Sequence, residues 1–115
     1  MVITLKNNKK LDLKWSFLVL EYLEEYSTDE GSGIVQIRKD ISRKKNQLKI
    51  YNFFTYAIIR ANIDEPLTYR EAVSLVEFKD YQKIVKFIEN NLHELEEFKK
   101  KDRNYTQVQK KKKKK

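Results

Sequence analysis

Few side chains in this sequence belong to the types that carry out catalysis. The 115 residues include no cysteine and one histidine, His93, which excludes disulfides, thiolate metal sites, cysteine nucleophiles and multi-histidine metal sites. His93 lies in a predicted helix without the positioned partner that acid–base catalysis needs. We therefore expect it to be a solvated helix residue.

Carboxylates and a pair of glycines offer two further kinds of site. Glu21, Glu24 and Glu25 share one helix face, where two carboxylates could act as an acid–base pair or bind a divalent cation, but this spacing is typical of a solvated acidic face. Gly31-Ser-Gly33 precedes a predicted helix whose N-terminus could hold an anion. The segment lacks the other glycines and the lysine of a phosphate-binding loop. We expect a flexible connector there, and a protein that is not an enzyme and needs no cofactor or metal.

The positive charge is concentrated at the C-terminal end. The net charge is +8, and residues 99–115 carry ten basic side chains and one acidic one, whereas the remaining 98 residues carry 15 basic and 16 acidic ones. The only basic cluster in that larger part comprises Arg38, Lys39, Arg43, Lys44, Lys45 and Lys49. A small nucleic-acid-binding regulator that uses this cluster and the tail is our alternative hypothesis. We disfavour it because a DNA-binding domain usually spreads its cations over one folded face.

The elements that must position any site are mainly helical. Residues 2–5 and 11–13 alternate apolar and polar side chains, which predicts an N-terminal β-hairpin. Apolar residues spaced three and four apart predict helices at 15–26, 34–45 and 78–101. The glycine-containing segment 27–33 is predicted to be a loop.

The most apolar stretch, residues 48–61, predicts a central helix around which about five helices pack. Thr68 and Glu71 match a capping box that starts a short helix, and the sequence leaves open whether this helix continues into the next one. We expect one helical domain with the hairpin over residues 1–101 and a disordered lysine-rich tail over 102–115. The longest apolar runs have four residues, so we expect no membrane span and a soluble intracellular protein.

Aromatic residues in and near the central helix could fill a core, stack on bases or contact a protein. Helical spacing within an apolar run favours the core. A helix that is apolar all round can still leave part of its surface exposed in so small a domain, and such a patch would bind a protein partner. The candidate partner-binding residues are Tyr51, Phe54, Tyr56 and Tyr81.

Four segments together resemble the tail assembly chaperones of long-tailed, siphovirus-type bacteriophages of Gram-positive hosts. These segments are Val2-Ile-Thr-Leu-Lys with Leu11-Asp-Leu-Lys-Trp15, the helix from Leu18 to Tyr26, Ile50-Tyr-Asn-Phe-Phe-Thr-Tyr-Ala-Ile-Ile-Arg-Ala61 and Leu67-Thr-Tyr-Arg-Glu-Ala72. The resemblance covers about residues 1–100 and depends on sequence pattern, not on a catalytic motif.

The resemblance implies a small, helical, non-enzymatic protein that binds the tape-measure protein and helps tail-tube subunits assemble around it. It also implies a location in the host cytoplasm and absence from the mature virion. We expect no membrane partner, and self-association is a further kind of contact that an exposed patch could make.

The last six residues, Lys110, Lys111, Lys112, Lys113, Lys114 and Lys115, allow three interpretations. Six lysine codons form an A-rich stretch on which ribosomes slip, and the resemblance implies a programmed frameshift that produces a longer fusion protein. The run could instead be a basic tail that binds nucleic acid or an anionic surface. The third interpretation is an expression artefact.

Overall fold

The computed structural model describes residues 1–93, and the chain begins with the predicted hairpin. Strand β1 (Val2–Thr4) pairs antiparallel with β2 (Lys10–Asp12), with Ile3 opposite Leu11. Ile3 and Leu11 are buried while the residues on either side of each within the strands are exposed. The turn contains Asn8 at φ 67°, a left-handed conformation that asparagine adopts more readily than most residues. The alternation in the sequence therefore predicted the buried face of the hairpin correctly.

Five α-helices lie in the described residues, which confirms the mainly α fold with an N-terminal hairpin. A turn of 3₁₀ helix (Phe78–Asp80) precedes the fifth helix, which is helical from residue 81 to the end of the described residues. The helices are α1 (Phe17–Leu23), α2 (Gly33–Ser42), α3 (Gln47–Asn62), α4 (Tyr69–Ser74) and α5 (81–93).

Helix α3 is the centre of the core, as its composition predicted. It packs against α1, α2 and α4, and residues 54–59 are buried without interruption. Six consecutive buried residues cover the whole circumference of a helix. Each large apolar side chain buried in this way contributes about 1.5–3 kcal/mol to folding. Ile84 and Ile88 of α5 are buried in the same core.

The capping box at α4 forms as the sequence predicted. The amide of Glu71 donates to Thr68 Oγ1 at 3.1 Å, and the amide of Thr68 donates to Glu71 Oε1 at 3.1 Å. These hydrogen bonds from Thr68 hold the pKa of the Glu71 carboxyl below its usual value. The helix start is therefore specified locally, without help from tertiary packing.

Several predicted boundaries are wrong. The helices predicted over 15–26 and 34–45 correspond to α1 and α2, each of which ends three residues earlier than predicted. The loop predicted over residues 27–33 contains a tight second hairpin, in which β3 (Ser27–Thr28) pairs with β4 (Gly31–Ser32). The amide of Gly33 donates to the carbonyl of Tyr26 at 2.7 Å and closes this hairpin. The predicted helix over 78–101 starts at residue 81 instead, because the 3₁₀ turn separates it from α4. That turn also answers the question of continuity, since α4 and α5 are two helices.

The predicted domain boundary at residue 101 and the predicted disordered tail over 102–115 lie outside the described residues. Within residues 1–93, none of the helices has the length and apolar character that crossing a bilayer requires.

Candidate functional site

A small apolar cavity lies between α3 and α5, next to the C-terminal end of α2. Its volume is about 110 Å³. Ile50, Phe54 and Ile88, all buried, line it together with the less buried Ile41, Tyr51 and Leu92. Ile41 is 37% exposed, so the cavity adjoins the protein surface there. We call this feature the α3–α5 groove.

Another exposed apolar side chain lies beside the α3–α5 groove. Leu48 is 66% exposed and precedes Tyr51 by three residues on α3, which places the two side chains next to each other on the helix surface. Gln47, the first residue of α3, also lines the groove. Ile41 and Tyr51 thus form an apolar rim of the groove. Leu48 does not line the cavity itself, but it continues this apolar surface beside Tyr51.

Tyr51 is fixed between the two helices that form the groove. It is half-buried, and burial is the main reason that its pKa is raised, followed by the charge of Glu89 and the nearby Tyr81, both on α5. Tyr81 is also half-buried, and burial raises its pKa as well. Tyr51 and Tyr81, two of the four candidate partner-binding residues, thus lie close together and retain some solvent exposure.

The other two predicted partner-binding residues need correction. Phe54 has no exposed surface; its ring stacks on Trp15 at a centroid distance of 6.1 Å, so it shapes the groove from below but offers no open surface. Tyr56 is also buried, and its hydroxyl donates to Glu25 at 2.9 Å. Its ring lies 5.2 Å from that of Phe53. Tyr56 is a core residue and does not line the groove.

The acidic face of α1 is exposed as predicted, but two of its members hold other elements in place. Glu25 accepts the hydrogen bond from Tyr56, and Glu24 Oε1 accepts one from the amide of Ile34 at 2.9 Å. The N-terminus of α2, which the sequence offered as a weak anion site, therefore already holds a carboxylate of this chain. Gly33 lies there at φ 77°, and a Cβ atom would come within 2.8 Å of Glu24 Oε2. The segment is a structured cap, so the prediction of a flexible connector is wrong.

Half of the basic cluster makes contacts within the protein. Arg43 Nη1 donates to Glu30 Oε2 at 2.9 Å, and Lys45 pairs with the other oxygen of the same carboxylate. The pKa of Glu30 is lowered, chiefly by Lys45. Lys49 Nζ donates to the carbonyl of Ser27 at 3.0 Å and lies 5.3 Å from the centre of the Tyr26 ring. Among the described residues, Arg38, Lys39 and Lys44 take part in none of the ion pairs.

A buried polar network joins α2 to the end of α1, and the sequence analysis missed it. Asp40 has no exposed surface. Its carboxylate accepts hydrogen bonds from the hydroxyl of Tyr26 at 2.7 Å, from Gln36 Nε2 at 2.9 Å and from Asn46 Nδ2 at 3.4 Å. Burial raises the pKa of Asp40, but the hydrogen bonds from Tyr26, Asn46 and Gln36 outweigh it and leave the pKa below its usual value.

A signal for this network was present in the spacing. Asp40 follows the buried Ile37 by three positions and the buried Gln36 by four, which places it on the inward side of α2. The partner Tyr26 is the last apolar residue of the helix predicted over 15–26. Burial raises the pKa of Tyr26 to about 12, with the charge and hydrogen bond of Asp40 adding to the effect.

Residues 1–93 contain no group of three or more histidine, cysteine, aspartate or glutamate side chains arranged to hold a metal ion. Comparisons of the chain with protein-family models, with curated proteins and with solved structures find no match.

Proposed function

We propose that the protein is a non-enzymatic tail assembly chaperone of a long-tailed bacteriophage, which binds the tape-measure protein and promotes tail-tube assembly. The observation that supports the proposal most directly is the α3–α5 groove, an apolar cavity whose rim carries the exposed Ile41 and the half-buried Tyr51, with the exposed Leu48 beside Tyr51 on α3. The resemblance of the sequence to this family gives the partner its identity. The groove gives the binding its physical basis.

The mechanism is reversible burial of an apolar helix face. A tape-measure helix would place one side chain into the groove and lay neighbouring residues, at i+3 or i+4, against Leu48 and Tyr51. A cavity of about 110 Å³ accommodates one side chain at a time, so each contact is small and the complex dissociates readily. Such a contact keeps an apolar helix soluble in the host cytoplasm until tube subunits displace the chaperone, which is then absent from the virion.

The test is a pull-down of the tape-measure protein from infected or induced cells with the full chain as bait. Leu48→Asp places a charge beside Tyr51 at the edge of the groove, and it should leave folding intact because the side chain is already largely exposed. The matched control is Phe17→Asp on α1, since Phe17 is 83% exposed and α1 contributes no residue to the groove. We expect the wild type and Phe17→Asp to retain the tape-measure protein and Leu48→Asp to lose it.

Two outcomes would contradict the proposal. If no salt concentration allows the wild type to capture the tape-measure protein, the chaperone function is wrong. If both aspartate variants capture it equally well, the protein binds through another surface. A steeply salt-dependent mobility shift with nucleic acid, lost on deleting Lys110–Lys115, would favour the alternative regulator instead.

A further inference from the structure

The charges around the α3–α5 groove are distributed unevenly. The loop from α2 to α3 connects Ile41 and Gln47, which both line the groove. This loop carries three consecutive cations, Arg43, Lys44 and Lys45, and the single carboxylate of Glu30 pairs with the first and the third. The groove therefore adjoins a loop with a net positive charge.

Lys44 is the cation best placed to meet a molecule in the groove. Its amide donates to the carbonyl of Ile41 at 3.1 Å, so its backbone adjoins a groove-lining residue. It has a left-handed backbone at φ 55°, it is exposed, and it is in no ion pair among residues 1–93. Arg43 faces a different cavity, lined also by Val35 and Lys39.

We propose that the occupant of the groove is an amphipathic helix with an acidic edge, which lies along the α2–α3 loop while its apolar stripe enters the groove. This inference depends on the proposed function and specifies the partner segment by its charge. Carboxylates along that edge meet Lys44 and the net positive loop. The charge of the loop thus selects the partner segment.

Three synthetic peptides test the inference with the full-length protein. All three share one leucine stripe at helical spacing, and the residues along one edge are glutamate, glutamine or lysine. Fluorescence anisotropy measures their affinities at low and high salt, because screening weakens contacts between exposed charges. We expect the glutamate peptide to bind most tightly, and its advantage over the glutamine peptide to shrink at high salt.

Two charge reversals distinguish a local contact with the α2–α3 loop from an effect of the net charge of the protein. Lys44→Glu should weaken binding of the glutamate peptide about five-fold at low salt, the scale of an exposed ion pair that is lost and replaced by repulsion. Lys39→Glu is the matched control: it changes the same charge on α2, but Lys39 lines the other cavity, so it should leave the affinity nearly unchanged. The lysine-rich tail is identical in both variants and cannot produce a difference between them.

The results distinguish this inference from the proposed function. If Lys44→Glu and Lys39→Glu lose affinity equally, or if the three peptides bind equally well, the partner helix has no preferred acidic edge. Either result would still be compatible with binding in the groove. If Leu48→Asp leaves peptide binding unchanged, the groove is not the binding site and the inference is also wrong. Loss of tape-measure capture in Lys44→Glu, with retention in Lys39→Glu, would extend the result to the natural partner.

Discussion

The hydrogen bond between Tyr26 and the buried Asp40 makes stability depend on pH in a way that one substitution can reveal. Tyr26→Phe removes the hydroxyl that donates to Asp40 at 2.7 Å and leaves the ring in place. Asp40 keeps its contacts with Gln36 and Asn46. Because hydrogen bonds to charged groups contribute about 1.5–3 kcal/mol, we expect the variant to lose about 2 kcal/mol of unfolding free energy at pH 7.

Because of the same hydroxyl, the free energy of unfolding of the wild type should fall at alkaline pH. The pKa of Tyr26 rises from 10.0 to about 12 on folding, so the folded state holds this proton more tightly than the unfolded state. Its contribution is fully present below pH 10 and is lost as the pH rises towards 12. The difference in stability between the wild type and Tyr26→Phe should therefore shrink over this window.

Urea unfolding at pH 7, 10 and 11 measures both effects. Trp15 is the only tryptophan and stacks on the buried Phe54, so its fluorescence reports on loss of the core. The double-mutant cycle of Tyr26→Phe with Asp40→Asn isolates the pairwise term. A coupling energy below about 0.5 kcal/mol, within the additivity of independent sites, would refute the reasoning, as would a stability difference that does not change with pH.

Three further predictions concern separate features. Asp40→Asn should make the free energy of unfolding less dependent on pH in the acid range. The pKa of Asp40 is lower in the folded state than its usual value of 3.8, so the ionised carboxylate stabilises the fold above that pH and the stabilisation is lost as the pH falls below it. Urea unfolding at pH 3 and 5 measures the difference. Thr68→Ala should cost about 1 kcal/mol in thermal or urea unfolding, whereas Ser16→Ala should cost almost nothing because the N-cap Ser16 makes no side-chain capping bond. Recoding Lys110–Lys115 with alternating AAG and AAA codons should abolish any longer product from the natural gene in an immunoblot; persistence of that product, or its absence before recoding, would contradict the frameshift interpretation.

Local signals predicted the elements that depend on local chemistry. The capping box at Thr68 and Glu71 and the alternation at Ile3 and Leu11 specify hydrogen bonds and faces within a few residues. The central position of α3 followed from its apolar character on every side. Each of these features needs no information about distant parts of the chain.

Features that depend on contacts between distant residues were missed. The hydrogen bonds of Glu24 with the amide of Ile34 and of Tyr26 with Asp40 join residues ten or more positions apart. The spacing within α2 places Asp40 on the buried side of that helix but does not identify its partner. The candidate partner-binding residues differ in exposure for the same reason. Periodicity places Tyr51 and Tyr56 on one helix, but only packing against α5 on one side and α1 on the other decides that Tyr51 reaches the rim and Tyr56 is buried.

The central claim is that the α3–α5 groove keeps the tape-measure protein soluble. The most direct measurement is the soluble fraction of the tape-measure protein of the same phage or prophage when it is co-expressed with this chain. We expect the wild type and Phe17→Asp to raise the soluble fraction and Leu48→Asp not to raise it, although all three proteins accumulate to the same level. A soluble fraction that is unaffected by the wild type, or is raised equally by Leu48→Asp, would contradict the central claim.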